Sequence, residues 1–470
     1  MMRHRTSSFA ACAIFAALFI LAGTAPFPAA SPRDSPQTPP PQSQAPQQQN
    51  EIVLSLSGEP GARIRYAVPD FIARTADPET ADAAKLLGAV LWDDLAFERE
   101  FYMVPRDTYR SIPAATSMET VPFDRWRELG ADALVMGSIE KTGPSTVRIV
   151  VRLFDVRTGR SAMGREYTGT LSNPRQYAHT AADEIHLAQR ALRGAARTKL
   201  TFSSDRDGDR IAGTVQQRGV KEVYISDYDG ANQRRVTISK ALNLYPNWSP
   251  DGRTLAYTSY RTGFPNIYLS RIYEGAPPET PAGREFQNWL SAWSPDGARL
   301  CFTSSRDGNS ELYVVNRDGS GLRRLTNNPA IDTTPTWSPT GTQIAFTSDR
   351  SGAPQIYIID VDGLNIHKVT NDSYSDRPTW SPAPFNEIAY VQRTGSGYDI
   401  RVMTLATQEV RQLTSGEGKN ESPCFAPNGR HIAFSSTRSG KQQIYTIGRD
   451  GQGLKQVTTV GNNQTPDWSR

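Results

Sequence analysis

The sequence predicts a small α/β domain followed by a six-bladed β-propeller. Three observations carry that reading. A segment of the form Trp-Ser-Pro-x-Gly recurs at Trp248, Trp293 and Trp337, with variants at Trp380, Phe425 and Trp468, always 43 to 45 residues apart. Each interval holds four short strand patterns separated by turn residues, which is the content of one propeller blade. Residues 51–195 instead mix helical and alternating periodicities.

The chain begins with a basic stretch, Arg3, His4 and Arg5, and an apolar run from Ala10 to Gly23. The run is shorter than the roughly 20 residues of a spanning helix, so residues 1–30 read as a secretory signal cleaved somewhere in Gly23–Ala30. Export without direct membrane insertion after cleavage is the expectation. Residues 31–50 are almost wholly Pro, Gln and Ser and read as a disordered tether with no apolar surface to bury.

In residues 51–195, Arg63–Pro69 reads as a strand. Glu79–Arg99 reads as a helix carrying Ala83, Leu87, Val90, Leu91 and Leu95 on one face. Phe123–Gly130 is a short helix ending at glycine. Ala133–Glu140, Val147–Val156 and Ser161–Tyr167 are strands, the second alternating Val147, Ile149, Val151 and Leu153 against Arg148 and Arg152. A last helix spans about Asn173–Leu192, with Ile185 and Leu192 on its apolar side.

From residue 196 to 470 each unit repeats an A strand ending in Trp, then a B strand of the Ile-Ala-Phe type (Leu200–Phe202, Leu255–Tyr257, Leu300–Phe302, Ile344–Phe346, Ile388–Tyr390, Ile432–Phe434). A Ser-x-Arg-x-Gly turn, a C strand, an Asp-Gly turn and a D strand follow. The first B strand has no A strand before it, and the last A strand has no B strand after it. Thr465–Ser469 is therefore expected to supply the inner strand of the blade begun at Lys199, leaving no open edge. Deleting the last eight residues should open the ring. Cys301 and Cys424 fall in blades on opposite sides of it, too far apart for the ~7 Å Cα separation of a disulfide.

Lys plus Arg number 52 against 48 Asp plus Glu, and no dense basic block occurs, so neither nucleic acid nor an anionic membrane surface is implied. The Asp-Gly pairs (Asp229–Gly230, Asp251–Gly252, Asp318–Gly319, Asp450–Gly451) read as hairpin turns, where glycine supplies positive φ. The run Asp205–Asp209 lacks the glycine and distal glutamate of a calcium loop and reads as a turn. Arg206, Arg261, Arg306, Arg350, Arg393 and Arg438, one per unit, are expected to brace their own blades. The repeated Trp are packing anchors. His179 and His186, about 10 Å apart by helical rise, are too distant to share a metal. No metal, cofactor or catalytic set is called for: neither Gly-x-Ser-x-Gly, His-Glu-x-x-His nor a phosphate-binding glycine loop is present.

Trp126-Arg127-Glu128-Leu129-Gly130-Ala131-Asp132-Ala133-Leu134-Val135-Met136-Gly137, Leu153-Phe154-Asp155-Val156 and Ala178-His179-Thr180-Ala181-Ala182-Asp183-Glu184-Ile185, together with the WD40-like repeats, resemble the TolB family, the periplasmic component of the Tol–Pal envelope system. The resemblance covers about residues 51–470; the long Pro/Gln tether departs from it. It implies a non-enzymatic, monomeric, periplasmic binding protein without cofactor, supporting envelope integrity and cell division. A Pal-like peptidoglycan-associated lipoprotein would enter the propeller's channel mouth, and inner-membrane Tol proteins (TolA-like) would meet the N-terminal part. The matching mouth positions are Leu244 and Tyr245, Thr333 and Thr334, Asp376 and Arg377, Glu421 and Ser422, and Gln464 and Thr465, with Trp289 and Leu290 in the unit that lacks the proline. Tyr245 and Trp289 stand evenly between blade packing and partner contact. The alternatives are a peptidase-associated propeller, which requires an α/β-hydrolase domain that these residues do not supply, and a propeller binding glycan or a small ligand.

Overall fold

The computed structural model describes residues 64–208, 220–395 and 397–469. The leader, the tether, Arg63 and Asp209 lie outside the described residues.

The N-terminal region is a six-stranded sheet carrying helices. Strands β1 (Arg65–Ala67), β2 (Ile72–Ala73), β3 (Tyr102–Met103) and β4 (Ala133–Lys141) pair in parallel, and β4, β5 (Val147–Asp155) and β6 (Ser161–Gly169) continue as an antiparallel meander. Period-two alternation sends Ala133, Val135 and Ile139 of β4 to one core, and Leu134 and Met136 to another. Helix α1 (Pro78–Glu98) starts where Asp77 caps the Thr80 N–H at 3.0 Å and Pro78 occupies the first turn; it ends at Arg99 in the left-handed conformation. Gly88 lets α1 press on the chain beneath it: a Cβ there would stand 2.5 Å from the Pro69 carbonyl.

Helix α2 covers Phe123–Glu128 and α3 Arg175–Arg190. Helix α3 stops at left-handed Ala191, so Leu192, expected on its apolar face, lies past the helix and only half-buried. Ile185 is buried as expected.

Six further sheets form the blades, numbered here from the one that opens at Lys199. The inner A strands of blades 2 to 6 are Asn243–Trp248, Asn288–Trp293, Asp332–Trp337, Ser375–Trp380 and Asn420–Phe425. Blade 1 takes its A strand, Asn463–Trp468, from the end of the chain: Gln464 pairs with Ser203 and Trp468 with Leu200. This closes the ring as the strand count requires. The anchors Trp248, Trp293, Trp337, Trp380, Phe425 and Trp468 are all buried. Cys301 and Cys424 sit buried in blades 3 and 6, on opposite sides.

Two expectations change. Blade 2 has three strands, not four, and only the bridge between Leu269 and Glu279 stands where its D strand would lie. Pro277, Pro278 and Pro281 flank that bridge and have no N–H to give a ladder. Arginine bracing holds in five blades: Arg206, Arg261, Arg306, Arg350 and Arg438 each stack on a C-strand tyrosine of their own blade at 4.3–5.1 Å. In blade 5 the equivalent tyrosine is replaced by Arg401, opposite Tyr390, and Arg393 is left exposed.

The N-terminal region packs on the face of the ring that carries the A–B and C–D turns of blades 1 and 6. The contact is apolar at its centre, where Phe97 stacks on His431 at 4.1 Å and meets Tyr228 at 4.8 Å. Buried charges surround it. Glu98 accepts from Arg430 Nη2 (2.6 Å), Asn428 Nδ2 (3.1 Å), His431 Nε2 (3.2 Å) and the Ala195 N–H (2.7 Å). Burial alone would raise its pKa, but His431 and Arg430 outweigh it and hold the carboxyl down at about 2. Asp94 accepts from Tyr228 Oη (2.7 Å) and His179 Nδ1 (2.8 Å), and the Asp227 carboxylate lies 3.7 Å from His179 Nε2. Burial opposes the charge on His179, yet Asp227 and Asp94 keep its pKa up at about 9. His186, buried farther along α3 against Phe101 at 4.9 Å, is pushed down to about 4 by burial.

Candidate functional site

The opposite face of the ring is formed by the B–C hairpins and the connections entering each A strand. Every A strand starts with a fully buried polar residue: Asn243, Asn288, Asp332, Ser375, Asn420 or Asn463. The next residue pairs with the B strand: Leu244 with Thr258, Trp289 with Thr303, Thr333 with Thr347, Asp376 with Val391, Glu421 with Ser435, and Gln464 with Ser203. Then the register slips, and pairing resumes three residues on. The third residue falls in the slip. Tyr245, Leu290, Thr334, Arg377, Ser422 and Thr465 all have φ between +50° and +55°.

Non-glycine residues enter that region at a cost of about 1–3 kcal/mol each, and bulges of this kind re-aim side chains. Proline follows in five blades and removes a ladder donor at the slip. Ser291 follows in blade 3, where Leu290 still has φ +55°, so proline is not what imposes the conformation. At three of the six positions a hydroxyl of the neighbouring blade receives the slipped N–H. Tyr245 N–H donates to Thr465 Oγ1 (3.3 Å), Leu290 N–H to Thr258 Oγ1 (3.2 Å) and Arg377 N–H to Thr347 Oγ1 (3.2 Å).

The six re-aimed residues surround the mouth of a central cavity of about 250 Å³, which reaches the Trp anchors at its far end. Of the twelve residues expected at the mouth, the structure gathers six around this cavity: Tyr245, Leu290, Thr334, Arg377, Ser422 and Thr465. It does not bring in Leu244, Trp289, Thr333, Asp376, Glu421 or Gln464, which stay in the ladder beside it, because a ladder residue and its neighbour in the slip cannot both turn to the axis. Tyr245 and Trp289 thus part company: the first is on the axis, the second beside it.

Among the described residues that line the cavity, Arg377 is the only cation and Asp467 the only carboxylate. From blade 5 the Arg377 guanidinium crosses the axis to blade 2, where Nη2 donates to Tyr245 Oη at 3.2 Å and CZ lies 5.3 Å from the ring. Nη1 donates to Ser422 Oγ of blade 6 at 2.6 Å. Deeper in, Asp467 accepts from the Trp248 N–H at 2.7 Å. The sequence reading missed this bridge, for which no local pattern exists, and an apolar rim on the same face. Ile238, Phe264, Phe286, Ile331 and Val460 are exposed there in the connections and hairpins. A large apolar residue just before an A strand was the available signal.

The face combines a narrow mouth with varied side chains, a polar axis and an apolar rim. Asp205 and Asp207, in the run with calcium-loop character, are engaged by Asn462 and Tyr224. Among the described residues no cluster of three or more His, Cys, Asp or Glu is placed to hold a metal.

Comparison with known proteins agrees with the fold. The family model described as the TolB amino-terminal domain matches residues 53–162, and the TolB beta propeller domain matches residues 191–470. A Tol-Pal system protein TolB from Bordetella avium is 35% identical over 426 residues, 89% of this chain and 90% of the relative. One from Desulfosudis oleivorans is 34% identical over 268 residues, and there the chain spans just 58% of the relative's length. Among solved structures, TolB from Acinetobacter baumannii superposes with a TM-score of 0.73 at 24% identity, covering 87% of this chain and 97% of that one, a likeness of fold.

Proposed function

The chain belongs to the TolB family, and from that premise we propose that it is the periplasmic binding component of a Tol–Pal envelope system. In this reading the channel mouth captures a Pal-like peptidoglycan-associated lipoprotein. Residues 51–195 form the domain that meets inner-membrane, TolA-like proteins. The pairing links the outer to the inner membrane during constriction, without catalysis, after export through the secretory signal.

One observation carries this reading. Where packing is at stake the residue type recurs, with Trp at five of the six anchors and Asn at four of the six buried A-strand starts. At the six positions turned to the mouth the backbone repeats within a few degrees, while the side chains are Tyr, Leu, Thr, Arg, Ser and Thr. A packing role would favour one residue type in all six; a shaped, asymmetric receptor needs them different. The exposed apolar residues of the rim supply the hydrophobic part of such an interface.

The test is a calorimetric titration of the soluble domain of the same bacterium's peptidoglycan-associated lipoprotein into the full exported chain. Saturable binding, weakened tenfold or more by Tyr245→Ala or Leu290→Ala, is expected for residues at the centre of an interface. Binding indifferent to both changes would move the site away from the mouth, and absence of binding would remove the proposal.

A further inference from the structure

The contact between Arg377 and Tyr245 joins opposite blades, so side chains span the ring there. Its chemistry is unbalanced. An arginine fork matches a carboxylate in bidentate fashion, yet both terminal nitrogens of Arg377 donate to neutral hydroxyls, Tyr245 Oη and Ser422 Oγ. Asp376 lies 3.7 Å from Nε, and the Glu421 carboxylate acts on the guanidinium only through its field; neither receives the terminal nitrogens. Asp376 is itself occupied: its oxygens accept from Thr347 Oγ1 (2.9 Å), the Arg377 N–H (2.7 Å) and Tyr374 Oη (3.2 Å). Asp376 holds the stem of Arg377 while the two terminal nitrogens face the axis. The left-handed backbone of Arg377 fixes the same aim.

We infer that Arg377 is a carboxylate receptor on the channel axis, capped in the free protein by Tyr245 and Ser422, which an incoming aspartate or glutamate side chain displaces. The inference rests on the reading of the mouth as a partner-binding surface and names what that surface selects: a protein segment that presents an acidic side chain to the axis. A ligand without one leaves the cap in place. Displacing the cap also separates blades 2 and 5 across the mouth, so the carboxylate opens the cavity that it enters.

Three substitutions, expected to act in opposed directions at the two residues, test this. N-acetyl-triglutamate amide is titrated into the full exported chain and into its Arg377→Gln, Arg377→Lys and Tyr245→Phe forms, with triglutamine as control. Binding of triglutamate, and not of triglutamine, is expected, weakened at least tenfold by Arg377→Gln and by less in Arg377→Lys, which keeps the charge and loses the fork. Tyr245→Phe removes a competing hydroxyl and should tighten binding about threefold, since a partly capped site binds as if diluted by its uncapped fraction. A structural role for the pair would make all three changes act in one direction. Equal binding of the two peptides, insensitivity to Arg377→Gln, no saturable binding, or weaker binding with Tyr245→Phe would each overturn the inference. Failure of the lipoprotein domain to bind the unaltered chain would remove the functional reading separately, because the peptide series reports on Arg377 regardless.

Discussion

The two faces of the propeller carry opposite ends of the same strands and use them in opposite ways. On the face under the N-terminal region, charged side chains are buried against fixed partners inside the molecule: Glu98 with Arg430 and His431, and Asp94 with His179 and Tyr228. On the mouth face the backbone is held in a left-handed bulge six times over, and the one guanidinium on the axis has two neutral hydroxyls as its fork partners. One face has its charges matched inside the molecule; the other is the face we propose receives a partner. Satisfied buried charges resist change, whereas strained and loosely matched groups are the ones that ligands can rearrange.

The sharpest break of that comparison comes from Glu98→Ala. Removing this carboxylate takes an acceptor from the buried His431 and Asn428 and leaves half-buried Arg430 with the Arg193 carbonyl alone at Nη2, a loss that for a buried pair typically costs about 3–5 kcal/mol. Denaturant unfolding should show that loss, while binding of a mouth ligand to the still-folded protein stays as it was. If ligand binding fell in parallel, the two faces would not be independent.

The next effect is a pH dependence confined to the packed face. His179 has its pKa raised from 6.5 to about 9, so its charge is retained longer in the folded state. The stabilisation is complete below about pH 6.5 and disappears as the pH rises through 9, a total on the order of 3 kcal/mol. His179→Asn should start less stable and show a flatter profile over that window. His186, lowered to about 4, acts in the opposite sense and costs stability as the pH falls from 6.5 toward 4. A profile for His179→Asn as steep as that of the parent would transfer the alkaline effect to other groups.

The smallest effect concerns stored strain at the mouth. Leu290 needs φ +55° and is not followed by proline. Asparagine accepts that conformation and a β-branched residue does not, so Leu290→Asn should be more stable by about 0.5 kcal/mol and Leu290→Val less stable by about 1 kcal/mol. Equal effects from the two would show that the side chain's packing, not the backbone, dominates there.

How far these faces can be read in the sequence depends on range. The helix over residues 78–98 and the alternation of Val147 to Leu153 are local patterns, and they appear where the periodicity places them. Ring closure was legible because a strand count is a conservation law: an unpaired first B strand requires a late A strand, and Trp468 opposite Leu200 supplies it. Blade 2 kept its repeat length but not its D strand, because prolines override a pattern that spacing alone suggests. Arg393 keeps its place in the repeat without the bracing role of the other five, since its stacking partner lies on another strand, where Arg401 has replaced the tyrosine. At the mouth the sequence pointed to pairs of residues, and which member faces the axis followed only from the register slip.

The amino-acid sequence by itself determined the blade number and the closure, because both follow from residues repeating at fixed separations along one chain. The tertiary structure decided what could not be written locally. The left-handed bulges persist whether proline or serine follows, and at Tyr245, Leu290 and Arg377 the slipped N–H is received by a hydroxyl of the neighbouring blade. The meeting of Arg377 with Tyr245 joins residues 132 apart in sequence, and nothing in either neighbourhood encodes it. It exists because closing six blades into a ring sets the second opposite the fifth across a channel narrow enough for two side chains to touch.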